Sequence, residues 1–168
     1  KSMELKQFTD QALSLAYNYL CTNRVNKAIQ LIGQVKKIDP DNSLATRLMD
    51  LIFAIQENTT KPDLSEHFGK YWLGESLEGK SIEIFCDQGM GDTINLMRYL
   101  YQMKQRWNCR IVLNCYAFYA SFKDLMEKFR CVDEFVNHHI KCDYTTNIMS
   151  IPALLSGLNF DCYYPVHC

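Results

Sequence analysis

The sequence predicts an α/β protein in two parts, an all-helical N-terminal region followed by a domain built on a parallel sheet. Three observations predict it. Apolar residues recur at helical spacing from residue 5 to residue 57. From residue 81 onward, short apolar runs of strand length alternate with helical stretches. A polar segment punctuated by Gly74 and Gly79 separates the two patterns. The boundaries that follow are 1–58 for the helical region, 59–80 for the junction and 81–168 for the sheet domain.

In the helical region, Phe8, Ala12, Leu15, Ala16, Tyr19 and Leu20 mark one face of a first helix. Val25, Ala28, Ile29, Ile32 and Val35 mark a second, and Leu44, Leu48, Leu51, Ile52 and Ile55 a third. Thr22-Asn23 and Asp39-Pro40-Asp41-Asn42 supply the breaks. Short connections make the helices antiparallel neighbours, each covering the apolar stripe of another. In the junction, Asn58-Thr59-Thr60-Lys61-Pro62-Asp63 is a polar break, and Asp63 or Ser65 is placed to cap a short helix through Tyr71-Trp72.

The sheet domain begins with a strand over Ser81 to Cys86, where Ile82, Ile84 and Phe85 are typical sheet formers. Leu96, Leu100, Met103 and Trp107 then recur at helical spacing. A strand over Arg110 to Tyr116, a helix over Ala120 to Phe129 and strands over Val132 to Val136 and Tyr144 to Ile148 follow, with a last helix over Ile151 to Leu155. Alternation of this kind implies parallel strands joined by right-handed crossovers and covered on both faces, a Rossmann-like domain.

Composition narrows the function. The 168 residues are 48% hydrophobic and 22% charged, with a formal net charge of −1. A nucleic-acid or anionic-membrane protein needs a basic footprint, which this balance does not supply. No apolar run reaches the roughly 20 residues needed to span a bilayer, and Lys-Ser-Met-Glu-Leu-Lys shows no signal-peptide core, so a cytoplasmic location is expected.

The eight cysteines, at 21, 86, 109, 115, 131, 142, 162 and 168, include no CxxC pair. Several sit in apolar stretches such as Ile84-Phe85-Cys86 and Leu113-Asn114-Cys115, where a free thiol behaves as a small buried hydrophobe. The alternative is a zinc site built from His138, His139, Cys142, Cys162, His167 and Cys168. Their spacing matches no common zinc module, so reduced core thiols and no metal are expected.

The loop Asp87-Gln88-Gly89-Met90-Gly91-Asp92 joins the first strand of the sheet domain to its first helix, the position at which ligands enter a parallel sheet. Two glycines there allow a tight turn and a close ligand approach, and the helix that follows aims free N–H groups at the same place. Ile94 stands where the dinucleotide fingerprint needs its third glycine, and no GxxxxGK[ST] loop exists. Two roles are open to Asp92, a base that takes a proton from a substrate hydroxyl and an N-cap of the helix. Arg98 and Tyr99 lie one to two turns on; Arg98 suits an anionic ligand, a solvated helix face or a structural ion pair.

Leu15, Ala16, Tyr19, Ala28 and Pro40 follow the large–small–aromatic–small–proline ladder of a helical repeat, so residues 18–42 resemble the tetratricopeptide repeat, with Asn23 near the usual glycine position. The ordered set Trp72-Leu73-Gly74-Glu75-Ser76-Leu77-Glu78-Gly79-Lys80, Asp87-Gln88-Gly89-Met90-Gly91-Asp92-Thr93-Ile94-Asn95, Arg98-Tyr99, Asp143-Tyr144 and Met149-Ser150-Ile151-Pro152 is more specific. It resembles proteins that join such repeats to a family 9, heptosyltransferase-like glycosyltransferase domain of the GT-B fold. The resemblance implies an inverting, metal-independent transfer from a nucleotide-sugar donor to a sugar or glycan acceptor. It makes Asp92 the base, with Gln88, Gly89, Met90, Gly91, Asn95 and Arg98 on the acceptor side. Asp87 stands where the family has glutamate and Asn95 where it has glutamine, each one methylene shorter. The chain corresponds to the first, acceptor-side half of that fold; the donor belongs mainly to a second Rossmann-like domain. The repeat-like helices suit either a helical cap on the next domain or a partner-binding repeat. A non-catalytic reading is carried beside the transferase one, in which the helical cap and the α/β module bind a protein partner.

Overall fold

The computed structural model describes residues 3–87 and 89–157. The described residues form two compact units, one up to Glu66 and one from His67 to Gly157.

The first unit holds three helices, α1 (Met3–Cys21), α2 (Val25–Ile38) and α3 (Ser43–Glu57). Asn23 turns the chain between α1 and α2 with a left-handed φ of 60°, a conformation asparagine tolerates better than most residues. Asn42 caps α3, its side chain accepting from the Ala45 N–H at 2.9 Å. Ala16 and Ala28 are fully buried, and α1 and α2 pack on each other, as small residues at a close crossing should. The stripes hold with two exceptions, Phe8 and Ile29, which are exposed. Helix α1 also has a second buried stripe, Leu13, Tyr17 and Cys21. It is therefore buried around most of its circumference, not on one side only.

A short helix, α4 (Ser65–Phe68), starts where Asp63 accepts from the Ser65 N–H at 2.9 Å. The sequence expectation carried it through Tyr71-Trp72; it stops at Phe68 because Gly69 takes a φ of +85°. A Cβ at Gly69 would stand 2.7 Å from the Cys142 carbonyl oxygen, so both the conformation and the space demand glycine. The chain then forms a strand, β1 (Lys70–Tyr71).

The remaining elements are β2 (Ser81–Phe85), α5 (Met90–Arg106), β3 (Arg110–Asn114), α6 (Tyr119–Met126), β4 (Glu134–Val136), β5 (Tyr144–Asn147) and α7 (Ile151–Leu155), with 3-10 turns before α6 and α7. They build a five-stranded sheet in the order β1-β5-β2-β3-β4, every pair parallel. This α/β arrangement is compatible with the Rossmann-like expectation. No helix among the described residues is long and apolar enough to cross a membrane. Trp72 and Leu77 are fully buried, Trp72 meeting Trp107 edge-on at 6.0 Å, while Gly74 and Gly79 adopt φ of 99° and 70°. The motif from Trp72 to Gly79 is thus core and turn.

Helices α5, α6 and α7 share one face of the sheet, while Phe68 of α4 lies against His139 on the other. The Thr93 hydroxyl of α5 meets the Cys86 thiol, Tyr119 of α6 stacks on Phe135 at 5.1 Å, and α7 touches α5, which places all three on one face. The reason is topological. Two successive right-handed crossovers, β2 to β3 and β3 to β4, step the same way across the sheet and so lie on the same side. The return from β4 to β5 carries no helix. It runs over the other face, where Ile140 and Cys142 pack on Val112 and Val136.

Candidate functional site

The reversal of strand order falls between β2 and β5: the chain moves outward through β3 and β4, then comes back to the far side of β2. A crevice at the carboxyl ends of two such strands is where open α/β sheets take their ligands. Asp87 follows β2 and Asn147 ends β5; the Asn147 Nδ2 donates to Asp87 Oδ1 at 2.8 Å, tying the two ends across the crevice. The Asn147 Oδ1 accepts from the Met149 N–H at 3.0 Å, so the fully buried amide is held from both sides.

Above this clamp α5 begins. Its N-cap is Gly89, in extended conformation with φ −61° and ψ 159°, and no side chain of a described residue caps the helix. Asp92 is the third residue of the helix, not its cap, which removes the N-cap role the sequence left open. The Asp92 carboxylate is exposed, and no hydrogen bond joins it to any described residue. It also sits in the first turn, where a negative group is favoured by the helix dipole.

Gly89 and Gly91 need a correction. Neither has a positive φ, so the backbone does not require glycine for a tight turn at either position. A Cβ on either would meet nothing within 4 Å. What each leaves is open space at its own Cα. Gly33, exposed in the interior of α2, also faces open space, and it serves as an internal control. Gly33→Ala should raise stability by about 0.5–1 kcal/mol, and Gly91→Ala should leave stability equal or higher. Urea unfolding of both variants checks this; a loss for Gly91→Ala would make that glycine structural.

Asp92, Asn95 and Arg98 follow one another along the exposed side of α5, away from the buried Thr93, Met97, Leu100 and Met103. Arg98 does not project freely. Its Nε donates to the Asn95 backbone oxygen at 2.9 Å and its Nη2 to the Asn95 side-chain oxygen. The two predicted ligand contacts are therefore partners of each other; Arg98 is exposed, in keeping with a solvated helix face, and makes no ion pair with a described residue. Met90 and Tyr99 are half-buried. Gln88 lies outside the described residues.

Two groups escaped sequence reasoning. One is the Asp87–Asn147 clamp, whose only local sign was an asparagine ahead of the Ile148–Ser150 turn. The other is Glu83, fully buried in the central strand. Its Oε1 accepts from His139 Nδ1 at 2.8 Å, and its Oε2 from the Ile140 N–H at 2.9 Å and Asn114 Nδ2 at 3.2 Å. A buried carboxylate persists only with such a set of donors. His139 is thus committed to Glu83. No group of three or more His, Cys, Asp or Glu suited to a metal occurs among the described residues, and Cys162, His167 and Cys168 lie outside them.

A hollow of about 740 Å³ opens at the other end of the strands, lined by Lys80, Ser81, Lys104, Arg110, Asp133 and Asp143 among others. Four of its five charged side chains are engaged, Lys80 being the exception. Lys104 pairs with Asp133, Arg110 pairs with Glu134 just beyond the lining, and Asp143 accepts from the Ser81 N–H at 2.9 Å. The crevice end carries the start of α5 and, in its first turn, an exposed carboxylate with no hydrogen bond to a described residue. No protein-family model, curated protein or solved structure matches the chain.

Proposed function

We propose that the sheet unit is the acceptor-side half of an inverting GT-B-type glycosyltransferase, with Asp92 as the base that takes the acceptor hydroxyl proton. The observation that carries this reading is the place of Asp92: an exposed carboxylate without a bonding partner among the described residues, in the first turn of the helix that opens at the strand-order reversal. A base must reach the proton it removes, and this one is open to solvent. Met90 and the α5 amides form the adjoining wall, and the Asp87–Asn147 clamp fixes the crevice floor. Asn95 and Arg98 join the acceptor side only by exchanging their mutual bonds for ligand contacts. The nucleotide-sugar donor is held by a second Rossmann-like unit, on the same or another polypeptide. The helical unit resembles a tetratricopeptide repeat, with Asn23 taking the left-handed turn that glycine makes there, and it serves as a protein-binding module.

The test is a thermal-shift and amide-NMR screen of sugar and glycan acceptors and of nucleotide sugars. Binding to the native state raises the melting temperature. Acceptors are expected to shift the amides of Gly89 to Asp92, and Gly91→Val should abolish that response by filling the open space. A ligand that binds elsewhere and leaves these amides unmoved would overturn the proposal.

A further inference from the structure

Cys86 and Cys115 leave the ends of adjacent parallel strands at matching positions. The ladder pairs Phe85 with Asn114, and the next residue on each strand is a cysteine. The register continues through the Cys86 N–H, which donates to the Asn114 carbonyl at 2.9 Å, while the Cys115 N–H donates to the Val136 carbonyl at 3.0 Å. Both side chains therefore point to the same sheet face, and both are buried. Adjacent strands lie about 4.8 Å apart. That separation falls within the roughly 4.4–6.8 Å Cα window of a disulfide.

We propose that this pair is an oxidation site, at which a low-molecular-weight disulfide such as oxidised glutathione converts the two thiols into a bond joining β2 to β3. One cysteine, as thiolate, attacks the glutathione disulfide, forming a mixed disulfide and releasing one glutathione thiol. The second cysteine attacks the protein-side sulfur, closing the internal bond and releasing the other glutathione. Two protein thiols are oxidised and one external disulfide is reduced. Burial pushes the Cys86 thiol well above its ordinary range, which keeps it protonated and slows the first step. Burial sets the rate; the placement of the partner sulfur decides which bond forms. The Cys86 thiol also meets the Thr93 hydroxyl, which donates to the Gly89 carbonyl at 3.3 Å, so oxidation acts at the base of the loop that opens α5.

The experiment equilibrates the full chain with an excess of oxidised glutathione under native conditions, quenches with acid, alkylates the unfolded chain and maps the peptides without reduction. A linked peptide pair containing Cys86 and Cys115 is expected, lost on dithiothreitol treatment and absent from both Cys115→Ser and Cys115→Ala. Recovery of Cys86 and Cys115 as alkylated thiols, or a stable glutathione adduct at Cys86 with Cys115 still free, would overturn the proposal. The outcome does not depend on any transferase activity.

Discussion

Asp92→Asn is expected to lower sugar transfer by about 10²- to 10⁴-fold while acceptor affinity stays within a few fold. The substitution keeps the size of the side chain and its ability to accept a hydrogen bond, and removes only the capacity to take a proton. Because Asp92 is exposed and bonds to no described residue, stability should move by no more than about 0.5 kcal/mol. The loss should fall on kcat with KM nearly unchanged, the mark of an interaction made in the transition state. Steady-state kinetics on a preparation that transfers sugar, alongside a calorimetric acceptor titration, separates these quantities. Transfer by Asp92→Asn at the parent rate would remove Asp92 as the base.

Glu83→Ala is expected to cost about 3–5 kcal/mol of stability. Three donors, His139 Nδ1, the Ile140 N–H and Asn114 Nδ2, lose their acceptor in a place that water does not reach, since Glu83 is 0% exposed. The shortened side chain also leaves a void in the centre of the sheet. Glu83→Gln should cost less, because its oxygen still accepts while its NH2 group is brought against a donor. Pairing each change with His139→Ala should show a coupling of about 1–3 kcal/mol, since neighbours in one network do not behave additively. Denaturant melts give all of these values. A cost below about 1 kcal/mol for Glu83→Ala would mean that the network contributes little.

Much of the architecture was legible because it rests on local periodicity. The stripes of α1 to α3 and the apolar runs of β2 and β3 are written in neighbouring residues, and their placement agrees with the structure within a few positions. Strand β1 was not legible: two residues carry no period, and Lys70-Tyr71 is a strand only because β5 lies beside it. Glu83, between two isoleucines, carries no mark of burial; its His139 partner stands 56 residues away. The same holds for Asp87 and Asn147, separated by 60 residues. The position of Asp92 on a helix start could be read from its glycines and the following apolar repeat. That Gly89, and not Asp92, caps that helix depends on where the backbone first turns helical, a matter of one or two residues that sequence patterns do not resolve.

The two outermost strands of the sheet are two and three residues long. A border of that length presents few unsatisfied amides and carbonyls, too few to template an incoming extended peptide. Growth of the sheet by recruiting strands from other molecules, the route to fibrils and runaway oligomers, is therefore discouraged at both margins. Concentrated samples should resist β-type aggregation as long as the fold is intact.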